Sequence, residues 1–176
     1  MSLSPEDFAT HQHTLPDGRR LGYSAVGPAS ARDVLLCLPG LLETRHTFDP
    51  LLQAAQTAPA LRVISLDHCG RGDSDPLPGD QGYAMAQYLA DIQQFIRQHL
   101  LAQSGVRLHV LGTSMGGILG MYLASDTTLP VRTLILNDVG LSFYWVSMYG
   151  LYDGMKRGMA PTTPEALAAQ LGVTPG

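Results

Sequence analysis

The chain has 176 residues, 45% of them hydrophobic and 15% charged, a composition that supports one domain with a real core. Eleven Lys and Arg against fifteen Asp and Glu give a net charge of -4; with no basic run, nucleic acid and anionic membrane surfaces are excluded as partners. No basic-then-apolar leader opens the sequence and no apolar run approaches the ~18 residues of a membrane span, which predicts a soluble, cytoplasmic protein. Residues 1–8 are expected to be a disordered or tag-derived start. Ala9 to Leu15 and Leu21 to Val26 then flank Pro16-Asp17-Gly18, where Pro presets φ and Gly supplies a positive one, so a hairpin opens the fold. Val34 to Leu38, Val63 to Leu66 and Leu134 to Leu136 are short apolar runs that predict strands buried on both faces, and Leu108 to Leu111 resembles them. Between them Met85, Tyr88, Leu89, Ile92, Phe95, Ile96 and Leu100 recur at helical spacing, with Gln87, Asp91, Gln94 and Arg97 expected to face away.

Strands separated by helices imply right-handed crossovers. The predicted fold class is therefore α/β: a mostly parallel sheet with an amino-terminal antiparallel hairpin and helices on both faces. Cys37 and Cys69 are the only cysteines and form no CxxC, so both are expected to be free thiols.

One motif carries chemistry. Leu108 to Leu111 runs into Gly112-Thr113-Ser114-Met115-Gly116-Gly117 and then a helix-compatible stretch, which is G-x-S-x-G in strand-turn-helix context. A serine on so tight a turn is strained, and Cβ atoms two residues to either side would collide with neighbouring backbone; Gly112 and Gly116 remove them. The helix behind the turn aims amide N–H groups at the place that Ser114 Oγ occupies. Arg71-Gly72-Asp73 reads as a tight turn, and no glycine pattern fits a phosphate loop. His46 and His68 lie in loops at the same sheet end as Ser114. No carboxylate and histidine cluster suggests a metal, and neither metal nor cofactor is expected.

The segment from about residue 10 to 140 resembles the amino-terminal part of a cap-bearing α/β-hydrolase. Three stretches carry the resemblance: Leu38-Pro39-Gly40-Leu41-Leu42, Asp67-His68-Cys69-Gly70-Arg71-Gly72-Asp73-Ser74 and the Ser114 turn. By that resemblance Ser114 is the nucleophile, and the Leu41 and Met115 amides form the oxyanion hole. Pro39 stands where the family usually has His, a change that a backbone donor tolerates. Pro39, Gly40, Leu42, His46, His68 and Asp138 are placed at the site rim. Asp138 reads as a strand-end turn former, with a relocated triad acid as the alternative.

The family's triad runs Ser, then acid, then His along the chain, yet His11, His13, His46, His68, His99 and His109 all precede Ser114. The expectation is a truncated, incomplete α/β-hydrolase core over residues 9–138, followed by the start of a cap-like helical segment over 139–176. In that segment Tyr144, Met148, Leu151, Tyr152, Met155 and Met159 form an aromatic and methionine stripe.

The resemblance implies a serine hydrolase of small apolar esters, lactones or C–C diketone bonds, with this chain lacking the triad His. The alternative is a non-catalytic fragment or pseudoenzyme that binds a small apolar ligand or a partner chain. A homodimer is expected, through an exposed sheet edge or the cap segment.

Overall fold

A computed structural model of the chain describes residues 8–79 and 83–141. The start of the chain up to residue 7 and the predicted cap stripe lie outside them. The chain divides into two units, Met1–Val139 and Gly140–Gly176, and every element below belongs to the first.

Strands β1 (Thr10–Thr14) and β2 (Arg20–Val26) form the predicted antiparallel hairpin, with His11 opposite Tyr23. Gly18 in its turn has φ 88°, the left-handed conformation that a glycine adopts without strain. Four parallel strands follow: β3 (Asp33–Leu38), β4 (Leu61–Leu66), β5 (Arg107–Thr113) and β6 (Val131–Asn137). The sheet order is β1-β2-β4-β3-β5-β6, and the predicted α/β class holds.

Helix α1 (Asp49–Ala55) covers one face; α2 (Met85–Phe95) and α3 (Met115–Ser125) cover the other. Period-2 alternation explains the unbroken apolar run in β3. Leu36 and Leu38 join Ile92, Phe95 and Leu119 in one cluster, while Leu35 and Cys37 pack with Phe48 and Leu52 in the other.

Two expectations are corrected. Asp91 does not face away: it is 2% exposed, because it sits three residues after Tyr88 and four before Phe95, on the buried stripe of α2. Arg19 reaches it with two bonds of 2.8 and 2.7 Å, a bidentate pair that makes its burial tolerable. Strand β6 is not buried on both faces either. It pairs with β5 alone among the described residues, and Ile135 is 46% exposed. The amphipathic helix also changes pitch: Ile96–Leu100 is a π-turn, closed by Leu101 N–H on the Ile96 carbonyl at 2.9 Å.

The chain passes from β3 to β4 on one side and returns to place β5 on the other. The carboxyl ends of β3 and β5 are therefore the topological switch point of the sheet, the place where open α/β sheets bind ligands.

Candidate active site

Ser114 joins β5 to α3 with φ 49° and ψ -114°. Apart from glycines, only it and Asp138 have positive φ among the described residues. A strained non-glycine persists only where its surroundings over-determine it. Here Ser114 N–H donates to the Asn137 carbonyl at 2.9 Å, and the Ser114 carbonyl accepts from Gly117 N–H at 2.9 Å and Ile118 N–H at 3.2 Å. A Cβ on Gly112 would overlap the Gly116 carbonyl, and one on Gly116 would overlap the Leu38 carbonyl and lie 2.7 Å from the Pro39 oxygen. The two glycines thus let α3 start directly against the end of β3. Ser114 is half-buried, and its hydroxyl does not cap the helix.

The loop after β3 is fixed from two sides. His68 Nε2–H donates to the Pro39 carbonyl at 3.0 Å, and the Glu43 carboxylate accepts from Gly40 N–H at 2.7 Å. Glu43 N–H returns to the Gly40 carbonyl at 3.3 Å, which makes residues 40–43 a tight turn. Leu41 packs partly against the core, while Leu42 at its tip is 75% exposed. Among the described residues no acceptor takes the Leu41 or Met115 N–H. Sequence reasoning missed Glu43; its signal was a carboxylate three residues after a loop glycine, close enough to close the turn on itself.

The loop after β4 is built on Asp67, which is fully buried. It accepts from Arg45 N–H at 2.7 Å and Asp73 N–H at 3.0 Å, and pairs with the Arg45 guanidinium. Gly70 and Gly72 have φ of 73° and 50°. Ser74 Oγ–H closes the loop on the Asp67 carbonyl at 2.8 Å. Arg71-Gly72-Asp73 is accordingly part of a tight turn, as expected.

None of the histidines is bonded to Ser114. His68 holds Pro39, and burial pushes its pKa down to about 4. His46 Nδ1 meets Asp49 at 2.8 Å, His13 meets Gln98 at 3.2 Å, and His109 lies 3.4 Å from Asp33. His11 and His99 lie against Tyr23 with tilted rings, at centroid distances of 5.2 and 5.1 Å. Asp138 is exposed, just past the end of β6.

Both cysteines are free and buried, and burial pushes the Cys37 thiol up to about 12. Among the described residues no side-chain group gathers to hold a metal, and no helix is long and apolar enough to cross a membrane.

Comparison with known proteins places this geometry. Residues 33–171 match the family model described as alpha/beta hydrolase fold. A 3-hydroxybutyrate-oligomer hydrolase from Cupriavidus necator is 37% identical over 159 residues, which are 88% of this chain and 52% of that protein. An alpha/beta hydrolase structure from Novosphingobium aromaticivorans superposes with TM-score 0.70 at 32% identity, covering 84% of this chain and 50% of that one. An alpha/beta hydrolase fold protein from Chitinophaga pinensis, at TM-score 0.72 and 23% identity over 94% of this chain and 56% of its own, shares the fold. The chain spans about half the length of these relatives. With the family model matched over most of its length, the chain belongs to the alpha/beta hydrolase fold family.

Proposed function

We propose that Ser114 is the nucleophile of an ester hydrolase, with the Leu41 and Met115 amides as oxyanion donors. The observation that carries this reading is the Ser114 backbone, held at φ 49° between two glycines that admit no Cβ. Ser114 Oγ attacks the ester carbonyl carbon, and the carbonyl oxygen becomes an oxyanion facing the two N–H groups. The alcohol leaves with a proton, and water then releases the acid from the acyl-serine. The 37% identity to a 3-hydroxybutyrate-oligomer hydrolase favours esters of short hydroxy acids as the substrate class.

A serine hydroxyl needs a base within hydrogen-bond reach, and within these 176 residues no histidine follows Ser114. Base assistance is worth ~10²–10⁴-fold, so the 176-residue chain alone should turn over p-nitrophenyl butyrate no faster than Ser114→Ala. Imidazole added to the assay supplies a base from solution. The expected result is a rate, above the imidazole background, that Ser114→Ala lacks, together with fluorophosphonate labelling at Ser114. Identical rates in the two proteins with imidazole, and no adduct, would favour the non-catalytic binding protein instead.

A further inference from the structure

At the amino ends of the parallel strands lies a cavity, about 20 Å from Ser114 by strand rise. Its volume is about 240 Å³, and Val34, Arg62, His99, Leu100, Gln103 and Val106 are among its lining residues. Two of the residues that line it carry a buried polar atom with no protein partner among the described residues, Arg62 Nε and His99 Nε2. Arg62 makes one long bond, from Nη1 to the Ala29 carbonyl at 3.4 Å. No carboxylate pairs with it among the described residues, although Arg19, Arg20, Arg45, Arg97 and Arg107 all have one.

The backbone places both groups deliberately. Arg62 stands opposite Val34 in the parallel register, and alternation puts it on the α2 face with Ile64 and Leu66. His99 lies within the π-turn, a local widening that often marks functional positions. Gln103 is committed to the Ser30 carbonyl at 3.0 Å, which fixes the rim.

We propose that this cavity binds a short-chain carboxylate. A half-buried guanidinium in the wall without a carboxylate partner among the described residues favours an anion, and its planar fork matches a carboxylate. Val34, Leu100 and Val106 in the wall would take the hydrocarbon part. At roughly 30 Å³ per water, the volume admits a short acid.

The test is an NMR titration of the 176-residue chain with sodium butyrate and, separately, sodium phosphate. Saturable shifts at Val34, Leu100 and Val106 are expected with butyrate, with phosphate weaker. Arg62→Gln should weaken butyrate about tenfold to a hundredfold, the range for a bond to a charged group. Arg62→Lys, which keeps the charge without the fork, should fall between and serves where Arg62→Gln fails to fold. Ser114→Ala should bind unchanged, so this result and the esterase result stand apart. Absence of saturation, undiminished binding in both Arg62 variants, or equal affinity for phosphate would each overturn the proposal.

Discussion

His68 donates its Nε2–H to the Pro39 carbonyl at 3.0 Å and so ties the loop after β4 to the loop after β3. In the fold the ring is neutral and carries its proton on Nε2. Burial provides that, holding the pKa near 4 against the ordinary 6.5 even though the Pro39 carbonyl pulls it upward.

A pH dependence follows from that depressed value. Below pH 6.5 the unfolded chain takes up a proton that the folded chain refuses until about pH 4. This stability is therefore whole above 6.5 and is lost as pH falls toward 4, at about 1.4 kcal/mol per unit of pKa difference. Urea unfolding across that window should show the wild type losing stability faster than His68→Gln. Parallel curves would mean that His68 is not buried as a neutral ring.

Gly116→Ala should break the Ser114 turn. Its new methyl would meet main-chain carbonyls at the end of β3, which no rotamer change relieves. Overpacking of this kind costs about 1–3 kcal/mol, or roughly 2–4 °C of melting temperature per kcal/mol at this size. Labelling at Ser114 should fall with it. A variant with unchanged melting and labelling would show that α3 can move off β3.

Much of this was legible in the sequence because it rests on local pattern. Apolar runs located β3, β4 and β5, and the glycines around Ser114 announced a turn that only they can form. Asp91 was misplaced because its polarity was weighed above its phase: its spacing from Tyr88 and Phe95 put it on the buried stripe, while its partner Arg19 lies 72 residues away. An exposed sheet edge was already expected, and β6 has β5 as its sole neighbour among the described residues; what the apolar run Leu134 to Leu136 hid is that its faces are not both buried. Arg45 gave no signal either, since a lone arginine in a loop looks solvated until Asp67 is folded against it.

That buried pair makes the last prediction. Arg45 is 3% exposed and Asp67 fully buried; the guanidinium also reaches Ser24 Oγ at 3.1 Å and Thr10 Oγ1 at 2.7 Å. The cluster thus joins β1, β2, the end of β4 and the 3-10 turn Arg45–Phe48 that leads into α1. Removing Arg45 strands the buried Asp67 charge, at about 3–5 kcal/mol, and removing Asp67 leaves Arg45 only the half-exposed Asp73, at 2.6 Å. Asp67→Leu should be worse than Arg45→Met, because Asp67 also accepts the Arg45 and Asp73 main-chain N–H groups, and each donor left unpaired costs about 1–3 kcal/mol. For the same reason the double variant should not recover wild-type stability, although replacing both charges can be neutral in other buried pairs. Urea denaturation of the three variants decides it. A double variant as stable as wild type would show that the two main-chain donors find other acceptors, and that Asp67 serves only to neutralise Arg45.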